Sequence, residues 1–403
     1  MAVLRSVRVG LQLDDTSRAG PIAPSDRIAA IDIVRGIALF GVMAINVATV
    51  FRVSIFEQFL PARHDGTGLD RALYWLLMVG IDLKAFALFS LLFGVGLAIQ
   101  YDHLAADPRR TALFVRRLAF LMLIGAAHLI LIWNGDILFE YAIAGFVVLP
   151  FLFCRLRTLT IVGTGLLALF LFSSFLPPLV SMPSRAWMTQ NVAEATRIYG
   201  SGGFAEVLAF RVHELSGVLP LHLFMFPRTV ALMLVGAMAW RAGLLRTGSP
   251  ASRHVPLLAA IGLVAGGSLA LAHVNGWLGL GWKAELLLER LGTVLLACGY
   301  GAAIVWAANR TGARVLAWAA PVGRMAFTNY LMQSLIFGWL FYGYGLGLFG
   351  KLGVAAALAV GIAVYVLQIA FSAWWLKRYY LYGPVEWLWR SAMYGTRQPL
   401  RRA

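Results

Sequence analysis

Long apolar stretches separated by short polar segments dominate this chain, and ten of them are candidates for membrane spans. A helix that crosses the hydrocarbon core needs about 20 mostly apolar residues. The predicted spans cover residues 28–51, 82–101, 114–133, 137–153, 159–176, 219–240, 256–274, 285–308, 322–343 and 352–376. The pattern therefore predicts an all-α, polytopic integral membrane bundle of about ten transmembrane helices.

The composition supports this class and argues against nucleic acid as a partner. Hydrophobic residues make up 60% of the 403 positions and charged residues 13%, whereas soluble domains carry about 25% charged residues. The net charge of +16 comes from basic residues at the predicted membrane edges, not from a nucleic-acid-reading motif. Anionic membrane lipid is the expected partner. Cys154 and Cys298 lie in apolar surroundings and are expected to be packing residues, and no metal site is predicted.

The distribution of arginine and lysine predicts the orientation. These residues concentrate between alternate spans, which indicates a cytoplasmic N-terminus, and an even number of spans places the C-terminus there as well. We expect a flexible cytoplasmic leader at residues 1–27, the membrane bundle at 28–376 and an amphipathic cytoplasmic tail at 377–403. Residues 177–218 are expected to form an extracytoplasmic cap with a helix from Arg185 to Tyr199.

Polar residues intrude into the first predicted span. Asp32 and Arg35 are three residues apart, so they are neighbours on one helix face near the predicted cytoplasmic edge. Asn46 follows Arg35 by eleven residues, which is about 16 Å along a helix. A charge in hydrocarbon costs roughly 2.5 to 3.5 kcal/mol on insertion scales, so such groups are usually paired or functional. A structural interpretation stays open, in which the ion pair anchors the helix and Asn46 bonds a neighbouring helix.

A histidine and a carboxylate lie close together at the end of the third predicted span. His128 stands in an apolar helix, and residues 133–136 (Trp-Asn-Gly-Asp) predict a tight turn that holds Asp136 within one or two helical turns of it. This is the usual layout of a general base oriented by a carboxylate. A helical histidine is also commonly a packing residue, and the sequence leaves both interpretations open. Lys84, at the end of the second span, is expected either to pair with Asp136 or to extend to water.

Two further polar groups lie on predicted helices. Arg116 and Arg117 form a basic pair at the predicted cytoplasmic end of the third span. In the ninth span, Arg324, Asn329 and Gln333 follow helical spacing, which predicts a polar stripe that faces the bundle.

The C-terminal segment that starts at Gly383 is amphipathic and aromatic, which predicts an interfacial helix fixed by an ion pair between Glu386 and Arg390. No Walker, HExxH, GxSxG or CxxC motif is present in the sequence. The sequence therefore argues against ATPase, zinc protease and serine hydrolase functions.

Several segments resemble the YeiB family of bacterial inner-membrane proteins, whose C-terminal half is known as domain of unknown function 418. The segments are IDIVRGIALFGVMAINV, KAFALFSLLFGVGL, RRLAFLMLIGAAHLILIWNGDIL, VGRMAFTNYLMQSLI and GPVEWLWR. They extend from residue 31 to residue 390, so the resemblance covers nearly the whole chain. It implies a multi-pass protein of the bacterial inner (plasma) membrane.

The YeiB family is in turn distantly similar to transmembrane acyltransferases, which include O-acetyltransferases of surface glycans and heparan glucosaminide N-acetyltransferases. In the O-acetyltransferases, an arginine in the first span is followed, after ten intervening residues, by a histidine, and the same spacing here gives Arg35 and Asn46. Asparagine cannot act as a base at neutral pH. The heparan-type enzymes also have asparagine there and take their histidine from a following segment, so the resemblance implies that His128 or, as the alternative, His64 supplies the base.

The resulting hypothesis is a transmembrane acyltransferase that moves an acyl (acetyl) group from cytoplasmic acyl-CoA to a hydroxyl or amine acceptor at the extracytoplasmic side. His128 would remove the acceptor's proton, Asp136 would orient the imidazole, and Asn46 would donate to the developing oxyanion, for which a comparable donor contributes roughly 2.7 to 4 kcal/mol. The basic pair is similar to one that the O-acetyltransferases associate with acyl-CoA. The residues expected to bind substrate or acyl-CoA are Asp32, Arg35, Lys84, Arg116, Arg117, Arg324, Asn329 and Gln333.

Acyl-CoA is expected as a co-substrate, with no permanently bound cofactor and no metal. The acceptor is an unidentified glycan, lipid or small molecule, and a homodimer is left open. The main alternative is a transporter or permease that moves a small polar solute or a lipid precursor past the same polar residues. A non-catalytic scaffold is a third interpretation. Transporters often contain repeated halves, and the sequence has no clear internal repeat, which favours the enzyme.

Overall fold

The computed structural model describes residues 28–61, 66–178, 180–246, 248–310, 313–378 and 380–401. These residues are predominantly helical, with one isolated β-bridge between Tyr380 and Arg401. The predicted leader and His64 lie outside the described residues.

Fifteen α-helices follow one another in the described residues, and we number them in chain order. They are α1 (Ala29–Asn46), α2 (Gly68–Gly80), α3 (Lys84–His103), α4 (Arg110–Ala127), α5 (Leu138–Val148), α6 (Leu156–Phe172), α7 (Arg185–Ser201), α8 (Phe204–Arg241), α9 (Val255–Val274), α10 (Trp282–Ala308), α11 (Ala313–Leu316), α12 (Ala319–Arg324), α13 (Ala326–Phe341), α14 (Val354–Arg378) and α15 (Pro384–Tyr394). Two of them continue as π-helices, α1 into Val47–Phe51 and α4 into His128–Ile132.

The predicted class is confirmed, because eight helical segments among the described residues are long and apolar enough to cross a membrane. Two shorter helical segments, Leu138–Phe153 and α13, occupy the other two predicted spans. The protein is therefore an all-α, polytopic membrane protein. The cytoplasmic location of its termini stays a prediction.

Two elements differ from the sequence prediction. Helix α2 was not predicted, because its 13 residues begin with charged positions and are too few for a span; its N-terminus is capped by Thr67 and Asp70. Helix α8 begins at Phe204 and has 38 residues, so residues 204–218 continue into the predicted span as one helix. Their place in the cap stays a prediction. The predicted span begins only at residue 219 because Arg211 and Glu214 are charged, yet both side chains are buried. The predicted cap helix coincides with α7.

Helices α3 and α8 cross at a pair of glycines. A Cβ atom on Gly94 would collide with the carbonyl of Met233, and one on Gly236 would collide with the carbonyl of Leu91. Small residues allow membrane helices to approach backbone to backbone, which is a main source of their packing energy. The crossing holds α8 against the centre of the bundle.

Replacement of Gly236 by valine should therefore lower the stability of the folded bundle. Overpacking of this kind typically costs about 1 to 3 kcal/mol, because neighbouring backbone must shift. Thermal unfolding in detergent measures the effect. Gly165→Val is the matched control, because a Cβ atom at Gly165 meets nothing within 4 Å while the cost in helix propensity is the same. Equal melting temperatures for the two variants would contradict the prediction.

Candidate functional site

Two cavities lie toward opposite ends of the bundle. One, of about 200 Å³, lies at the end that holds Ile28 and α15, and we call it the terminal cavity. The other, of about 390 Å³, lies at the opposite end beneath the loop at residues 55–59 and the segment before α7, and we call it the distal cavity. The predicted site residues divide between these cavities and the helices that join them.

Four arginines from four helices line the terminal cavity, which brings together residues far apart in the sequence. They are Arg35, Arg117, Arg324 and Arg390. The predicted pair with Asp32 is present, since Nη1 of Arg35 lies 2.9 Å from Oδ1 of Asp32. Asp32 and Glu386 are the acidic residues of the lining, so arginines outnumber carboxylates.

The two arginines of the predicted basic pair have different surroundings. Arg117 lies in the cavity lining, and its guanidinium lies 4.7 Å from the ring centroid of Trp389. The indole nitrogen of Trp389 donates to the carbonyl of Arg117 over 2.8 Å, which ties α15 to α4. Arg116 is exposed and outside the lining of both cavities. Stacking of the guanidinium fixes Arg117 in position.

Helix α15 borders the terminal cavity, and the carboxylate of its Glu386 bonds to α13. The sequence had predicted that Glu386 pairs with Arg390. Oε1 of Glu386 accepts hydrogen bonds from the backbone N–H groups of Phe327, at 2.8 Å, and Thr328, at 3.0 Å. Oε2 accepts from Oγ1 of Thr328. The carboxylate thus caps the N-terminus of α13, where a negative charge is favourable. Burial raises the pKa of the Glu386 carboxyl, an effect that these hydrogen bonds oppose.

Helices α1 and α4 share an unusual feature at the level of the predicted catalytic residues. Helix α1 becomes a π-helix directly after Asn46, and α4 becomes a π-helix at His128. π-Helical turns are rare and are frequent at functional sites. Each of the two residues follows an arginine of the terminal cavity, Arg35 or Arg117, by eleven positions. This spacing corresponds to about 16 Å along each helix.

Aromatic rings join the two π-helical segments. The ring of Phe51 stacks on that of Trp133 with centroids 4.6 Å apart, and Trp133 in turn lies 6.3 Å from the imidazole of His128. Asn46 and Trp133 both line the distal cavity. His128 is therefore linked through the ring of Trp133 to the cavity that Asn46 lines.

The imidazole of His128 faces the interior of the bundle. The residue is 1% exposed, and its Nδ1 lies 2.8 Å from Oδ1 of Asp136. Oδ2 of Asp136 accepts the backbone N–H of Phe139 at 2.7 Å, so the carboxylate is held from both sides. Nε2 of His128 is buried without a hydrogen-bond partner among the described residues. A neutral imidazole that donates through Nδ1 keeps its lone pair on Nε2, which is the form of a general base.

A buried polar cluster from α7 and α8 holds the turn that carries Asp136. Oε2 of Glu214 accepts from Nδ2 of Asn134, at 2.5 Å, and from the hydroxyl of Tyr199, at 2.7 Å. Nη1 of Arg211 donates to the carbonyl of Ile130 in the π-helix over 3.2 Å. Sequence reasoning missed this cluster because it placed Arg211 and Glu214 in the cap. The available signal was two charges three residues apart next to an apolar stretch.

The other predicted residues lie away from both cavities. The ammonium group of Lys84 is buried and donates to the carbonyl of Met78 over 2.7 Å, so it reaches neither Asp136 nor solvent. Nδ2 of Asn329 donates to Ser372 over 3.0 Å. Nε2 of Gln333 donates to Oε1 of Gln368 over 2.8 Å. Both of these bonds join α13 to α14, so these two residues connect helices where substrate contacts had been expected.

The distal cavity contains ionisable residues that the sequence analysis did not single out. Nδ1 of His222 lies 2.7 Å from Oε2 of Glu140, whose Oε1 accepts from the hydroxyl of Thr229. Arg228 and Asp82 also line this cavity. The sequence did carry a signal, because Glu140, His222 and Arg228 interrupt apolar stretches in the same way as Asp32 does.

These features define a multi-pass membrane protein with an arginine-rich cavity near one end of its bundle, a second cavity near the other end, and buried polar groups between them. Residues 239–396 match the family model described as "Protein of unknown function (DUF418)". The chain is 35% identical over 402 residues to Uncharacterized protein YxaH of Bacillus subtilis (strain 168), covering 95% of this chain and 98% of that protein. It is 33% identical over 388 residues to Uncharacterized protein YeiB of Escherichia coli (strain K12), covering 91% and 96%. The chain therefore belongs to the YeiB-like DUF418 family.

Proposed function

We propose that the protein is a membrane acyltransferase that takes an acyl group from acyl-CoA at the terminal cavity and passes it to a hydroxyl or amine acceptor in the distal cavity. The observation that carries the proposal is the buried imidazole of His128, paired with Asp136 through Nδ1 and with Nε2 left without a partner. It lies on the same helix as Arg117, which lines the arginine-rich cavity.

The terminal cavity suits the phosphates of CoA. Guanidinium groups bind phosphate through paired, charge-assisted hydrogen bonds, and each hydrogen bond to a charged group contributes about 1.5 to 3 kcal/mol. Four arginines against the two carboxylates Asp32 and Glu386 give the lining a net positive charge that suits phosphate. The acyl-bearing arm would then extend along α1 and α4 toward Asn46 and His128.

The reaction follows from these positions. Nε2 of His128 accepts the proton of the acceptor's O–H or N–H group while the acceptor atom attacks the thioester carbonyl carbon. Asp136 holds the ring and stabilises its protonated form, and the amide of Asn46 donates to the oxyanion. The carbon–sulfur bond then breaks, the acyl group stays on the acceptor, and the CoA thiolate takes the proton from the imidazolium. A proton and an acyl group are exchanged without oxidation or reduction.

In this proposal the terminal cavity faces the cytoplasm and the distal cavity faces the outside of the bacterial inner membrane. The orientation agrees with the excess of basic residues predicted for cytoplasmic segments. It also agrees with the cytoplasmic origin of acyl-CoA.

Binding of CoA to the purified protein in neutral detergent tests the proposal by calorimetry. We expect Arg117→Gln to weaken binding by roughly 10- to 150-fold, which corresponds to the loss of about 1.5 to 3 kcal/mol. Arg157→Gln is the control, because Arg157 is exposed at the start of α6 and the charge change is identical. Absence of CoA binding by the unmodified protein would overturn the proposal and favour the transporter.

A further inference from the structure

We infer that the acceptor is an amphiphile with an anionic head group, a phosphate or a carboxylate, and that Arg228 binds this head in the distal cavity. The inference rests on the proposed function, since it names the substrate class of the same site. Its physical basis is a buried guanidinium whose Nε and Nη1 atoms have no hydrogen-bond partner among the described residues.

Arg228 lines the distal cavity and is 5% exposed. Its Nε and Nη1 atoms are buried without a hydrogen-bond partner among the described residues. Its guanidinium lies 5.9 Å from the ring centroid of Phe170. Removing a cation from water without pairing it costs several kcal/mol. An anion bound in the cavity would offset this desolvation cost by pairing with the guanidinium.

The carboxylates near Arg228 have other partners. Both oxygens of Glu140 are engaged, one by His222 and the other by Thr229. Asp82 interacts electrostatically with Lys84 as well as with Arg228. The adjacent residues Glu289 and Arg290 add one charge of each sign. The cations Lys84, Arg228 and Arg290 equal the carboxylates Asp82, Glu140 and Glu289 in number, so protonation of His222 would give this region one net positive charge for a ligand.

The rest of the wall is mainly apolar. Apolar residues of the lining include Ile45, Phe56, Phe86, Leu221, Phe224 and Met225. A cavity of about 390 Å³ is far larger than a bare phosphate. Contact between its apolar wall and an apolar chain is favourable because it removes both surfaces from water. The chemistry of the wall therefore favours an anionic head attached to an apolar chain over a free inorganic anion. Asn46 lines the same cavity, so a hydroxyl near the head would lie close to the catalytic residues.

The experiment uses three probes with the full-length protein in a neutral detergent. Octyl phosphate has both parts of the inferred ligand, octyl glucoside has the same chain with a neutral head, and inorganic phosphate has the head alone. We expect native mass spectrometry and calorimetry to show one octyl phosphate bound per chain, with at least tenfold weaker binding of the other two. Arg228→Gln should weaken octyl phosphate binding at least tenfold. Arg228→Lys, which keeps the charge but loses the planar fork, should have an intermediate affinity.

The controls separate this inference from the proposed function. Arg117→Gln should lose affinity for CoA and keep octyl phosphate, whereas Arg228→Gln should do the reverse. Unchanged octyl phosphate binding in both Arg228 variants, or equal affinities for octyl phosphate and inorganic phosphate, would overturn the inference. If CoA binds and octyl phosphate does not, the inference fails and the acyltransferase proposal stands. If octyl phosphate binds and CoA does not, the acyltransferase proposal fails and the anionic site stands.

Discussion

Replacement of His128 by asparagine is expected to reduce acyl transfer by roughly 10²- to 10⁴-fold, the usual contribution of a positioned general base. Affinity for CoA should be unchanged, because His128 lies outside the lining of the terminal cavity. The measurement is the slow hydrolysis of labelled acetyl-CoA by the purified protein, in which water replaces the acceptor. His213→Asn is the matched control, because His213 is exposed.

A second variant distinguishes loss of the base from loss of the fold. In the protein, Oδ2 of Asp136 accepts a hydrogen bond from the N–H of Phe139 at 2.7 Å. The Asp136→Asn variant keeps an oxygen that can accept this bond. It no longer stabilises the protonated imidazole, so the rate should fall while the melting temperature changes little. Full hydrolytic activity in a folded His128→Asn protein would refute the assigned role.

Replacement of Glu214 by alanine is expected to lower the free energy of unfolding by about 1 to 3 kcal/mol for each buried donor that loses its acceptor. The change would leave Asn134 and Tyr199 without their shared acceptor. It would also remove a carboxylate that interacts electrostatically with Arg211, which is 0% exposed. Thermal or denaturant unfolding in detergent measures the loss.

Two variants make this stability prediction specific. Glu194→Ala removes an exposed carboxylate from α7 and should change stability little. Glu214→Gln keeps an accepting oxygen and should lose less than the alanine variant. Because Glu214 holds the turn that carries Asp136, hydrolysis of acetyl-CoA should also fall in the glutamine variant while CoA affinity is retained. Equal stability of the Glu214→Ala and Glu194→Ala proteins would contradict the prediction.

The parts of the fold and site that the sequence predicts are those encoded locally. Apolar stretches locate the spans because hydrocarbon selects for apolar side chains over a fixed length. The pairs Asp32–Arg35 and His128–Asp136 could be predicted because their members are a few residues apart, on one helix or across one tight turn.

The parts that escaped prediction depend on contacts between distant segments. The bond between His222 and Glu140 joins residues 82 positions apart, and that between Glu386 and Phe327 joins residues 59 positions apart. The π-helical turns after Asn46 and at His128 arise from a shift in backbone hydrogen bonding that the apolar pattern does not encode. The start of α8 at Phe204 was missed because burial of Arg211 and Glu214 requires partners that only the folded bundle supplies.

Helix α4 and its π-helical continuation carry both Arg117, in the lining of the terminal cavity, and His128. In the proposed reaction, the helix therefore fixes the distance between Arg117, which binds phosphate, and the base His128, since any tilt of α4 moves both residues together. One residue inserted between them would lengthen this distance by about 1.5 Å and turn the imidazole by about 100° around the helix axis. The same backbone thus sets the distance from Arg117 to His128 and the direction of the imidazole. This arrangement suits acyl-CoA, because the length of its arm is the same whatever acyl group it carries.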